Sequence, residues 1–174
     1  YFRSIKTSAE GDGFKKVIAV TEDQMERQRH LEMAVRFLVH AKVPYDGKLD
    51  VEEYIDEGIV TLAQAGDNAD ATNLVDRTFQ LLDEVAGGNA LRRYQDGGHV
   101  GKVTLVGLEG IAVGVAKNLE AILALGANAA SEFVRTKMRE FWSQPQSANF
   151  TSPGLRGTTR IQRTVPFGEE WFRP

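Results

Sequence analysis

The stretch from Val103 to Leu125 constrains this chain more than any other part of it. It is apolar nearly all round, so as a helix it has no polar stripe to offer solvent and must be surrounded by other elements. Its length invites a membrane reading. Glu109, Lys117, Asn118 and Glu120 interrupt it, however, and charges inside a bilayer are expensive. The segment therefore reads as a buried central helix of about residues 105–125, capped by Thr104 and ended by Gly126, in a chain that makes no membrane contact. Gly107, Gly110 and Gly114 share one face of it. Each costs on the order of 1 kcal/mol against alanine in a helix, and close approach by another helix is the expected compensation.

The rest of the chain supplies that surround. Thr21-Glu-Asp-Gln24 is a capping box, with Glu22 and Asp23 at the positive end of the helix dipole. Met25, Leu31, Ala34, Leu38 and Ala41 continue an apolar stripe to Pro44, which predicts a helix over about 22–41. Asp50 caps a second helix that ends at Gly66, and a third runs from about Ala69 to Gly87-Gly88. A short helix over 90–94, a polar turn over 95–101 and a helix from about Asn128 to Gln144 follow. Residues 1–20 read as an irregular lead-in, 21–145 as the helical bundle, and 146–174 as an arginine-rich segment packing on it, with a short helix near 155–165. No strand alternation persists and no repeat period is visible. The fold class is all-α, an irregular multi-helix bundle around a buried central helix. Of its 174 residues, 42% are hydrophobic and 26% charged, a globular balance with length enough for a real core.

Chemistry-bearing patterns are scarce. Without cysteine there is no disulfide framework, thiol nucleophile or Cys-based zinc site. No phosphate loop, dinucleotide fingerprint, nucleophile elbow or His-Glu-x-x-His appears. His30 and His40 lie ten residues apart on one expected helix, so they point about 80° apart and stand roughly 15 Å apart along the axis. They cannot share a metal, and read as surface or satisfied histidines. His99, in Asp96-Gly-Gly-His, reads as part of a solvated loop, the alternative being a metal ligand or general base. Glu109 stands out as an acid within the apolar spine. It reads as a buried structural acid with a partner, or as the wall of a pocket. Glu32 and Arg36, four residues apart with the acid first, form a structural pair. No catalytic residue, metal ligand or cofactor site is assigned.

The net charge of −3 announces no global basic field, but charge is unevenly spread. Residues 1–134 are net −7, whereas residues 135–174 are net +4. The basic side chains of the second part are Arg135, Lys137, Arg139, Arg156, Arg160, Arg163 and Arg173. The first six are the candidates for nucleic-acid contact. Docking on the chain's own acidic half is the competing reading, and the favoured one.

Several segments together resemble a bacterial family. Arg29-His-Leu-Glu32-Met-Ala-Val-Arg36-Phe-Leu38 resembles its Arg-x-x-Glu helix ending in Arg-Phe-Leu. Tyr45-Asp-Gly-Lys with Leu49 to Glu57, Ala90-Leu-Arg-Arg-Tyr94, Val103 to Gly114 and Gly157-Thr-Thr-Arg-Ile161 resemble segments that follow in the same order. The family is domain-of-unknown-function 262, whose founding restriction systems are of the GmrSD type. The resemblance spans about residues 27–161. It implies the helical half of a defence-type protein whose other half is a ParB/sulfiredoxin-like α/β domain with an Asp-Gly-Gln-x-Arg type motif. Some members add an HNH nuclease. Neither motif is present here, and Asp96-Gly97-Gly98-His99 does not match the first, so no catalytic residue carries over.

The expected role is thus a non-catalytic accessory or regulatory region of a larger, cytoplasmic, restriction-like NTPase or nuclease. Its partner would be the α/β domain of the same protein, and DNA is a second candidate. The alternatives are a DNA-contacting module using the C-terminal arginines, and a small-molecule sensor with Glu109 in its pocket.

Overall fold

The computed structural model describes residues 1–174, and it is all-α apart from one two-stranded hairpin. Ten α-helices run in chain order: α1 (Phe2–Ala9), α2 (Asp12–Ile18), α3 (Glu22–Glu26), α4 (Arg29–Lys42), α5 (Val51–Ala65), α6 (Asn68–Ala86), α7 (Val113–Lys117), α8 (Leu119–Leu123), α9 (Ala127–Phe141) and α10 (Gly157–Trp171). Strands β1 (Arg93–Gln95) and β2 (Gly98–Val100) precede a π-helical segment, Gly107–Ala112, that leads into α7. Single 3-10 turns cover Gly87–Asn89 and Pro145–Phe150. No helix is long and apolar enough to cross a membrane.

The π segment and α7 are the spine expected from the sequence. Every residue from Gly107 to Ala116 is buried. Helices α4, α6 and α10 pack around it, with α1 and α2 closing over α4 and α6 and α9 lying along α6. Phe14, Phe37 and Phe79 meet at the centre of this core, with centroids 4.4 and 5.0 Å from the Phe79 ring. A smaller core of Val39, Tyr54 and Ile55 fastens α5 to α4.

The three spine glycines are close-approach sites. A Cβ on Gly107 would strike the Leu91 carbonyl, and one on Gly110 the Phe141 ring. A Cβ on Gly114 would lie 2.6 Å from Gly168 O, and one on Gly168 would strike Gly110 O. The backbones of the spine and of α10 therefore touch at a Gly110–Gly114–Gly168 crossing, which compensates for the poor helix propensity of these residues.

Five expectations are corrected. The spine is not one helix over 105–125. It stops at Asn118, whose side-chain amide donates to Gly114 O at 2.9 Å and to Glu169 O at 2.8 Å, replacing helical bonding with a tie to α10. The helix over 22–41 is two helices, broken at Gln28 in the left-handed conformation (φ 58°). The Thr21 capping box forms as expected, yet α3 buries no residue, so no packing holds it in line with α4. Residues 1–20 are not irregular, because α1 and α2 bury Ile5, Ala9, Phe14, Val17 and Ile18. Residues 90–94 form no helix. Arg93–Gln95 pairs antiparallel with Gly98–Val100 across a two-residue turn, Asp96 (φ 52°) and Gly97 (φ 82°). In the C-terminal segment the helix is longer than expected and runs through Pro166.

Candidate binding sites

Two ionic networks tie the helices together. Glu109, at 1% exposure, is the most deeply buried charge. Its position within the π segment matters, because π turns often mark functional sites in helices. Arg160 of α10 donates to it through Nε (3.0 Å to Oε2) and Nη2 (2.9 Å to Oε1), and the Thr164 hydroxyl donates to Oε2 at 2.9 Å. The carboxylate is thus fully engaged. The second network is centred on Arg36, 8% exposed, which donates to Glu32 at 3.0 Å and to Glu52 at 2.7 Å. The contact with Glu32 is the pair its spacing of four predicts, and the contact with Glu52 bridges α4 to the first turn of α5. Burial opposes the Arg36 charge, but the two carboxylates outweigh it and hold the pKa above its usual value. Burial likewise raises Glu32, while Arg29 and Arg36 bring its carboxyl below the ordinary range.

The six nucleic-acid candidates do not form one surface. Arg160 is spent on Glu109. Arg135 pairs with Glu132 on its own helix, and Arg163 donates to Asn149 O at 3.2 Å. Lys137 sits over the Trp171 ring, 4.1 Å from its centroid. Arg156 is exposed just before α10. Arg139 alone reaches the largest concavity, a groove of about 770 Å³ between the hairpin, the end of α9 and the 145–153 segment.

That groove was not foreseen. Arg93 from β1 lies over the Trp142 ring at 5.7 Å, and Arg139 from α9 lies over Tyr94 at 5.1 Å. Gln144, Ser147, Thr151 and Ser152 add polar edges, and Asp96 and Glu140 add negative charge. Two guanidiniums, each backed by an aromatic face, present N–H donors to a carboxylate or phosphate. His99, the cross-strand partner of Tyr94, meets its ring edge-on at 5.0 Å, and its Nδ1 lies 3.4 Å from Arg92 O. Burial, with Arg139 and Arg92 nearby, lowers its pKa against the opposing effect of that carbonyl.

His30 and His40 depart from the sequence reading. Both are buried, at 4% and 2% exposure, and neither Nδ1 has a hydrogen-bond partner. No group of three His, Asp or Glu side chains is arranged to hold a metal ion. Glu109 lines neither the groove nor the smaller cavity beside His40. In comparisons with known proteins, the chain matches no family model, no curated protein and no solved structure.

Proposed function

We propose that the chain is a helical accessory region of a larger bacterial defence-type protein, of the restriction-like kind its sequence resembles, and that it works by binding rather than by catalysis. The observation that carries the binding reading is the groove of Arg93, Tyr94, Arg139 and Trp142, a recess of ligand-site size with two aromatic-backed cations. The two most buried charges, Glu109 and Arg36, are neutralised by Arg160 and by Glu32 and Glu52, and these contacts link helices. That use of charge suits a scaffold that must hold its shape against a neighbouring domain.

A second reading, contact with nucleic acid, is favoured by the same two stacked arginines. Aromatic faces beside cations are what strand-binding grooves use for bases and phosphates.

The test places Arg93→Glu together with Arg139→Glu in the host gene and scores restriction of phage, while the purified variant chain is melted. Lost restriction at an unchanged Tm supports the groove as the working surface. Intact restriction removes it. Nucleotide or phosphodiester turnover by the purified chain, abolished by one substitution within it, would overturn the non-catalytic reading.

A further inference from the structure

We propose that the cavity between α4, α5 and α10 is a second binding site, one that takes a small organic anion: a carboxylate on a flat apolar body, held by the His40 imidazole and the Lys117 ammonium. This goes beyond the groove and does not depend on it. The cavity measures about 310 Å³ and is walled by His40, Tyr45, Tyr54, Lys117, Val165 and Pro166. That volume lies at the small end for ligand sites, suited to a single ring and too tight for a nucleotide.

The imidazole is the first argument. His40 is almost fully buried, yet it lines the cavity, and its Nδ1 is unpaired. Buried polar atoms in folded proteins are nearly always paired, and an unsatisfied imidazole on a cavity wall is open to completion by an entering ligand group, a water or an ion.

Charge is the second. Burial, with the positive charges of Arg36, Arg160 and Lys117, depresses the His40 pKa to about 3. Arg36 on the same helix is engaged by Glu32 and Glu52, and Arg160 on α10 by Glu109. Lys117 has only Glu169, at 3.7 Å, a separation longer than a hydrogen bond, so its donors are available. Glu169 also borders the cavity and must share the ammonium when an anion enters. The two tyrosines complete the titratable groups there. Their hydroxyls are committed to Leu49 O at 2.7 Å and Val43 O at 2.6 Å. Each cation there has an acid partner, so what the site offers an anion is the unused donors of Lys117 and the unpaired imidazole of His40.

The walls are the third. Tyr45 and Tyr54 lie against each other with centroids 4.5 Å apart, and Val165 and Pro166 face the same space. With the hydroxyls occupied, what these residues offer is flat apolar surface. A bare anion would leave that surface wet. A ring carrying a carboxylate would cover it and place its charge at His40 and Lys117. An anion beside neutral His40 favours the imidazolium, so binding should take up a proton and tighten as pH falls.

The experiment titrates the whole chain with benzoate, acetate and inorganic phosphate, following the His40 imidazole resonances by NMR at about pH 7.5 and about pH 5.5. The resonances are assigned by their loss in His40→Gln. Benzoate should saturate, move His40 toward imidazolium, and bind more tightly at the lower pH. Acetate and phosphate should each bind at least about tenfold more weakly. Lys117→Gln, which leaves the histidine in place and changes a partly exposed residue, should weaken benzoate at least about tenfold at an unchanged Tm. If His40→Gln fails to fold, Lys117→Gln still decides the matter. The proposal is overturned if benzoate leaves His40 unmoved up to about 10 mM, or if Lys117→Gln binds it equally well. Acetate or phosphate binding as tightly as benzoate, or an affinity indifferent to pH, overturns it equally.

Discussion

Arg160 and Glu109 meet from positions 51 residues apart in the chain. Truncating Arg160 to alanine leaves a carboxylate at 1% exposure with Thr164 as its remaining donor. Breaking a buried pair this way costs about 3–5 kcal/mol, read as a lower urea midpoint. A loss below about 1 kcal/mol would mean the pair behaves as a surface contact. The apolar double replacement, Glu109→Leu with Arg160→Met, should recover much of the loss. Arg36→Ala is milder, because the Glu32 and Glu52 side chains are themselves 46% and 76% exposed and regain water. A loss of about 1–2 kcal/mol, or several degrees in Tm, is expected by calorimetry. His40 gives a pH dependence of fixed sign. Its folded pKa of about 3 lies below the ordinary histidine value of 6.5, so its contribution is complete above about pH 6.5 and drains away as pH falls toward 3. His40→Gln should flatten that limb of a Tm-against-pH curve, and an unchanged limb would show that His40 is not the group responsible. The pairing of Glu32 with Arg36 was legible from a spacing of four, and Glu109 was legible as an oddity in an apolar run. Burial of the two histidines was not, because periodicity places a residue on a face and does not say what covers that face.

Among the elements, the crossing of α10 over the spine is the most demanding. Gly168→Ala would drive a methyl into the Gly110 carbonyl, a backbone group that cannot swing aside as the end of a side chain could. A loss of about 3 kcal/mol is expected, at the upper end for overpacking, measured by chemical denaturation. Gly98→Ala is the matched control. Nothing lies within 4 Å of that position and its φ is not positive, so a change within about 0.5 kcal/mol should follow. Equal losses at the two sites would refute the backbone contact. The elements best read from sequence were those with both a cap and a stripe, such as α5 between Asp50 and Gly66. The hairpin had a signal that was passed over. Asp96-Gly97 is a preferred dipeptide for a two-residue turn with both φ values positive, and Tyr94 and His99 flank it as cross-strand partners. The breaks at Gln28 and Asn118 had none. Asn118 ends its helix because Glu169 happens to stand opposite, a fact of tertiary structure.

For the whole molecule, the question is where its charge faces. The uneven spread that made residues 135–174 look like a nucleic-acid surface is largely answered internally, by Glu109, Glu132, Trp171 and Asn149. Arg160→Glu with Arg163→Glu should therefore collapse the Tm. Arg93→Glu with Arg139→Glu should leave it within a degree or two, because both side chains stack at the surface. If the groove meets DNA, the binding should be weak, indifferent to sequence, and sensitive to salt with a slope near about −1.8 for two phosphate contacts on a duplex. Fluorescence anisotropy across a salt series checks this, and a slope unaltered by the second double variant would place the contact elsewhere. The groove was illegible in the sequence because Arg93 and Arg139 are brought together by the hairpin, and no stretch of chain holds both.

Because α10 follows in the chain every element it packs on, its order has a consequence for synthesis. Until Gly157–Trp171 has left the ribosome, the spine lacks the arginine that neutralises Glu109, the backbone that seats against Gly110 and Gly114, and the Phe172 ring that fills the space beside Gly114. The nascent chain must wait with its most apolar segment uncovered, so the core closes only once α10 has emerged, even where α1 and α2 have already found α6. A ribosome stalled before Arg160 would display a chaperone substrate, whereas one stalled with a spacer beyond Pro174 would display a protease-resistant domain. Pulse proteolysis of the two stalled chains separates these states, and the same dependence makes the last helix the natural point at which a truncation, a nick or a tag fused too closely would unmake the whole bundle.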